Sequence, residues 1–424
     1  MLPIEKMTVG EIDLSDPAFW RLPEEVIEGA FVTLRRERPM SFHRERALPP
    51  LIEEGPGYWA VTKYADIVAI TKDTETFCHG KGTVIHDWPE AILEFFRHMQ
   101  TEDDPRHARL RRIVSRSFTP RFLARMEDDI ARASREIVAD IKEKGEVEFV
   151  SEVAARLPNR MICDLMGVPA SMYDFVYEKS SLVMLAGDSA AVFDSDDNGE
   201  TIMQILQAAA DLGELMTELG DDRRANPRDD ILSALVSSDV NGEVLTQREL
   251  VQYFIMLIGA GSETTRAAIA NGMVALSQYP EQRDLWLADF DRHASTAANE
   301  IVRWASPVIH MRRTATRDAR VGEQQIAEGE KVVLFFRSGN RDEQVFDDPY
   351  RFAVNRPDLP AHLGFGAHGP HYCLGAHLAR TETVALYREL FSVLPDIHAT
   401  GEPVRQGSNF THAITSLQCS FTPR

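Results

Sequence analysis

Along most of the chain, apolar residues recur at steps of three and four. Between 121 and 143, Phe122, Met126, Ile130, Ile137 and Ile141 fall largely on one face of a helix. Residues 247–279 carry a helical pattern at greater length. Thr246 opens it with Glu249 three positions on, a pairing in which each side chain satisfies a backbone N–H that the first turn leaves orphaned. Shorter helices are expected over 281–291 and 295–305, another after Pro105, and a last one from about Leu374 to Leu394. Strand signals are few. Tyr58 to Thr62 follows the turn Gly55-Pro56-Gly57, and the β-branched and aromatic run Lys331 to Phe336 follows Gly329. Asp194 to Gly199 reads as a solvated loop between helices. With no fixed-period repeat and no low-complexity linker, the pattern predicts one domain over 1–424, mainly α with a minor β portion.

Composition narrows the function classes. The 424 residues carry 46 Lys and Arg against 66 Asp and Glu, a formal charge of -20. Such acidity argues against binding to a phosphate backbone or docking on anionic lipid. The most apolar stretch, Tyr253 to Gly261, is far shorter than the ~20 residues of a membrane span. Met1 to Asp13 lacks the apolar core of a signal peptide. Cys78, Cys163, Cys373 and Cys419 form no Cys-x-x-Cys pair, which suits a reducing compartment. A cytoplasmic protein is expected. One segment reverses the charge: from Pro105 to Met126 there are seven arginines (106, 109, 111, 112, 116, 121 and 125) and no acid.

The segment richest in chemistry is Phe365-Gly366-Ala367-His368-Gly369-Pro370-His371-Tyr372-Cys373-Leu374-Gly375. Gly366, Gly369 and Gly375 permit tight turns and close approach to something flat. A cysteine at a helix start gains from the helix dipole and nearby N–H donors, conditions that favour a thiolate and metal ligation. Two other readings stand beside this one. A lone cysteine is commonly a small hydrophobe in a core. Alternatively, His368, His371, Cys373 and His377 could bind zinc, although their spacing fits no common zinc pattern.

The loop resembles the heme-binding loop of the cytochrome P450 family, Phe-Gly-x-Gly-x-His-x-Cys-x-Gly, with one extra residue between Phe365 and Cys373. Further motifs follow in that family's order. Ala260-Gly261-Ser262-Glu263-Thr264-Thr265 resembles its oxygen-binding motif. Independently of the name, Gly261 and a Thr264 hydroxyl bonded back to the Ala260 carbonyl would loosen one helical turn, and Glu263 could relay protons. Glu300-Ile301-Val302-Arg303 with Arg356 downstream resembles a buried Glu-Arg-Arg clamp. His107 and Arg111, four apart on one helix face, together with Arg313 and His371, match residues that bind the two cofactor propionates.

The resemblance spans nearly the whole chain. It implies the cytochrome P450 fold, a helical body with a long central helix and a small β-rich lobe, holding heme b (iron protoporphyrin IX). It implies Cys373 as the axial thiolate and metal ligand, within a loop that includes Phe365, Gly366 and Gly375. Ala260 and Gly261 would form the oxygen groove, and Thr264 and Glu263 would deliver protons. The activity implied is monooxygenation, in which one atom of O2 enters a C–H bond of a hydrophobic small molecule. A sterol, a steroid or a methyl-branched lipid is the expected substrate class, and Val84, Ile258, Val308, Ile309 and Phe410 are candidate pocket residues. No flavin or iron–sulphur motif is fused to the chain, so electrons would come from an acidic ferredoxin with its reductase, docked on the arginine-rich segment of a monomer. A heme-thiolate peroxygenase or isomerase would keep the cysteine loop without needing Glu263 and Thr264. A non-catalytic heme sensor would show the thiolate signature without reductant-dependent product.

Overall fold

Thr246 caps the dominant element as its sequence predicts. Its side chain accepts from the Glu249 N–H while Glu249 Oε2 accepts from the Thr246 N–H at 2.9 Å. The helix that follows, Gln247–Gln278, has 32 residues and is about 48 Å long at 1.5 Å per residue. Its middle and C-terminal half are buried nearly all round, as expected of a helix enclosed by others. Packed around it are the helices Arg156–Leu165, Tyr173–Met184, Asn198–Ala225, Phe290–Ala305 and Ala376–Val393. The computed structural model describes residues 5–47, 52–117, 120–188, 198–228, 230–237, 244–357 and 360–424.

Most predicted helices are present with shifted ends. Pro120–Ile141 buries Met126, Ile130, Ile137 and Ile141 on one face, while the Phe122 side chain lies outside the described residues. The helix expected at 295 begins at Phe290, because the Asp289 carboxylate accepts from the Arg292 N–H and caps it there; the preceding helix therefore ends at Ala288. The last helix starts at Ala376 rather than Leu374. In the expected loop 194–199, residues 194–197 lie outside the described ones, and Asn198 and Gly199 already belong to the helix Asn198–Ala225.

The β portion is larger than the sequence pattern suggests. A five-stranded sheet runs in the order Met40–His43, Tyr58–Val61, Lys331–Phe335, His310–Ala315, Phe77–Cys78. Tyr58–Val61 pairs in parallel with Lys331–Phe335, Tyr58 opposite Lys331, and the other pairings are antiparallel. Lys331–Phe335 is buried throughout, which explains its continuous apolar run. His310–Ala315 escaped notice because Arg312 and Arg313 break the apolar alternation, yet both side chains point inward. The sheet carries Arg313 to one side of the cavity beside the central helix, and the loop before Ala376 closes another side.

Candidate active site

Cys373 stands where the loop enters the helix Ala376–Val393. Within the loop the Cys373 N–H donates to the Phe365 carbonyl at 3.0 Å and the Tyr372 N–H to the Gly369 carbonyl at 3.1 Å. Gly366 has φ +77°, a conformation that a side chain would strain, and a Cβ on Gly369 would come within 2.5 Å of the Thr71 carbonyl oxygen. The Phe365 ring lies under the Arg380 guanidinium, 4.4 Å from its centroid. Cys373 is exposed, and the surface it exposes lines the cavity beside the central helix. Burial in the surrounding protein pushes its thiol up, opposed by the Gly375 N–H and by the charges of Arg111 and Arg380. His368, His371 and His377 do not converge on it, and among the described residues no three His, Cys, Asp or Glu side chains form a metal cluster. Zinc is therefore not favoured.

Basic groups gather along one side of this cavity. His107, Arg111, Arg313 and His371 all line it, as does His79, which the sequence reading missed. The imidazoles form a stack, with His371 centred 3.4 Å from His79 and 3.9 Å from His107. Burial, followed by neighbouring positive groups, holds His79 and His371 well below the usual histidine range. Burial likewise pushes the Arg313 guanidinium down to about 9. His107 Nε2 and Arg313 Nε are buried with no hydrogen-bond partner. Arg111 reaches back to the loop and donates to the Tyr372 carbonyl at 2.7 Å. A flat ligand carrying carboxylates would supply acceptors to these groups while presenting a central metal to Cys373. The residues present thus fit heme.

Across the cavity runs the central helix. Thr264 Oγ1 donates to the Ala260 carbonyl at 2.6 Å, as expected, and Ala260, Gly261 and Thr264 line the cavity while the backbone stays helical. A packing reason for Gly261 emerges: a Cβ there would lie 2.8 Å from Ile162 Cδ1 on the neighbouring helix. Glu263 is buried but turned aside, accepting from Ser181 Oγ at 2.9 Å and paired closely with Arg266. It shares the motif with Thr264 without lining the cavity. A second chamber adjoins the first at Gln100, Met256, Ala260, Thr264, Val308 and Met311. Of the candidate pocket residues, Val84, Val308 and Phe410 line this chamber. Ile258 and Ile309 are instead packed in separate parts of the core.

Two supporting features complete the geometry. Glu300 accepts from Arg303 Nε at 2.7 Å, Arg303 Nη2 at 2.8 Å, Arg356 Nε at 3.0 Å and the Ala353 N–H at 2.9 Å. Glu382, one face of which borders the cavity, has an unpartnered buried oxygen, and burial pushes its carboxyl up to about 8. No motif pointed to Glu382; an acid on a buried helix face was the only signal. Of the seven arginines, Arg106 pairs with Glu102 at 3.1 Å and Arg109 with Glu249 at 2.9 Å, so acids from elsewhere in the fold partly neutralise the segment. Arg112 is exposed, and the Arg116 and Arg121 side chains lie outside the described residues.

Comparison with known proteins agrees with this geometry. The family described as Cytochrome P450 matches residues 294–392. A "Methyl-branched lipid omega-hydroxylase" of Mycobacterium tuberculosis is 42% identical over 99% of this chain and 97% of its own. A "Steroid C26-monooxygenase" of Mycolicibacterium smegmatis is 36% identical over 86% of this chain and 84% of its own. Among solved structures, a Mycobacterium marinum cytochrome P450 in complex with pseudoionone superposes with a TM-score of 0.89. It is 39% identical, with 98% of this chain and 99% of that one covered.

Proposed function

The chain belongs to the cytochrome P450 family and is a heme-dependent monooxygenase, and from that premise we propose that it hydroxylates the end of a methyl-branched aliphatic chain on a lipid or steroid. The observation that carries this reading is the largely apolar chamber opening beside Thr264. Two relatives whose names specify an omega position and C26 support the same end-of-chain chemistry. When bound, heme supplies the activation of O2. Cys373 would hold the metal as a thiolate. His107, Arg111, Arg313 and His371 would receive the carboxylates, and Phe365, Gly366 and Gly375 shape the loop around the sulphur. Ala260 and Gly261 leave space beside the helix for a diatomic ligand. Thr264 presents a hydroxyl that hands on a proton, and Glu263 replenishes it after release from Arg266.

Electrons come from an acidic ferredoxin served by its reductase. Exposed Arg112 and the other arginines of the segment provide the charge that attracts it, a rate effect that salt weakens. Among the described residues no helix is long and apolar enough to cross a membrane. The substrate reading is tested by titrating the ferric enzyme with methyl-branched fatty acids and cholesterol-like steroids, following the shift in heme spin state, then identifying products. Saturable shifts and end-of-chain alcohols support it; shifts only with compact terpenes or aromatic compounds contradict it.

A further inference from the structure

The chamber beside Thr264 is shaped by two contacts that only glycine allows. Gly259, on the central helix, faces Met184, whose sulphur would be 2.8 Å from a Cβ at that position. Gly187, beyond the end of the helix Tyr173–Met184, faces Phe410: a Cβ there would lie 2.4 Å from the ring. All four residues line the chamber. The two contacts differ in how they would yield. Met184 has an unbranched, flexible side chain that can move aside. Phe410 cannot retreat. Its carbonyl accepts from the Ile309 N–H at 2.8 Å and its N–H donates to Ser408 Oγ at 3.0 Å, so its backbone is pinned. Behind the ring stands buried His310, edge to face at 5.6 Å, itself fixed at 2.8 Å to the Asn409 carbonyl. His310 and Gly187 both touch the ring, and the chamber that the ring lines offers the space into which an added Cβ at position 187 would push it.

We propose that Gly187 is a positioning residue for substrate selection: its missing side chain lets Phe410 lie back and keeps a pocket wide enough for a methyl branch. A straight chain leaves that space unfilled and forgoes its packing. Discrimination follows by the size of one methyl group, roughly 10–200-fold in a close-fitting apolar site. The inference rests on the branched-chain reading above and assigns its selectivity to a residue outside the recognised motifs.

The test compares a methyl-branched fatty acid with the unbranched acid of equal chain length. Dissociation constants come from spin-state titration, and kcat and KM from product formation. In Gly187→Ala the preference for the branched acid should fall about tenfold or more, expressed in KM and Kd with little change in kcat. Adding Phe410→Leu to Gly187→Ala should restore the preference by shrinking the displaced side chain. Phe410→Trp with Gly187 intact should reduce the preference in the same direction, and it carries the test should Gly187→Ala fail to load heme. An unchanged preference in the folded variants, equal weakening toward both acids, or absence of rescue by Phe410→Leu overturns the proposal. Wild-type turnover of the branched acid reports separately on the proposed function, because the role of Gly187 is read only from variant-to-wild-type ratios.

Discussion

Replacing Glu300 by Gln keeps the side chain's volume and removes its charge from the centre of a buried clamp. The carboxylate side chain is 0% exposed and accepts four hydrogen bonds, three from two guanidinium groups and one from the Ala353 N–H. Arg303, itself 2% exposed, also donates to the carbonyls of Asn340 and Pro349, and Arg356 to those of Asp347, Asp348 and Arg351. Glu300 thus ties the helix Phe290–Ala305 to the segment 340–356, which packs beside the cysteine loop through the Leu363 N–H and Asn340 Oδ1 at 2.6 Å. A glutamine can retain one or two of those bonds but leaves buried Arg303 and partly buried Arg356 without a counter-charge. Breaking a buried pair in this way costs about 3–5 kcal/mol. Against a total stability of about 5–15 kcal/mol, that is enough to lower the fraction of heme-loaded protein at 37 °C. Urea unfolding followed by circular dichroism, alongside the reduced carbon monoxide difference spectrum, measures both effects. A loss below about 1 kcal/mol with a full red-shifted Soret band would show that the clamp is not what secures the loop.

Other outcomes follow from individual residues. Thr264→Ala removes the hydroxyl bonded to Ala260, and product formed per electron consumed should fall by about 10²-fold or more while substrate-induced spin shifts persist. Arg112→Glu should slow ferredoxin-driven turnover, most strongly at low salt, and leave peroxide-driven turnover intact; equal loss in both assays would exclude docking there. Glu382 is held protonated by burial up to about pH 8, whereas the unfolded chain releases that proton near the ordinary carboxylate value. The unfolded state therefore binds fewer protons between those values, and stability falls as pH rises from about 5 to 8, by on the order of a few kcal/mol. Glu382→Gln should flatten that fall, as read by urea unfolding at pH 5, 6.5 and 8.

The sequence made most of the helical body legible because its periodicity is strong where helices pack on one another, as over 247–278. The sheet was harder to see. Strand His310–Ala315 carries two buried arginines, and Arg312 finds its counter-charge on distant Asp87. The cysteine loop, the Thr264 turn and the Glu300 clamp were readable because their chemistry is set by local spacing. His79 and the Gly187–Phe410 contact were not: His79 meets His371 from a distant part of the chain, and no local pattern marks a glycine that faces a ring 223 positions away by residue number. Glu263 shows the opposite limit. Spacing placed it beside Thr264, and Arg266 and Ser181 turned it aside.

The central claim is that Cys373 and the chamber beside Thr264 together insert oxygen at the end of a branched chain. Mass spectrometry of the product formed from a methyl-branched fatty acid under 18O2, with ferredoxin, its reductase and reduced nicotinamide, tests it most directly. The account predicts a terminal alcohol bearing one 18O atom, abolished in Cys373→Ser. An alcohol whose oxygen comes from water, or hydroxylation confined to mid-chain carbons, would contradict it.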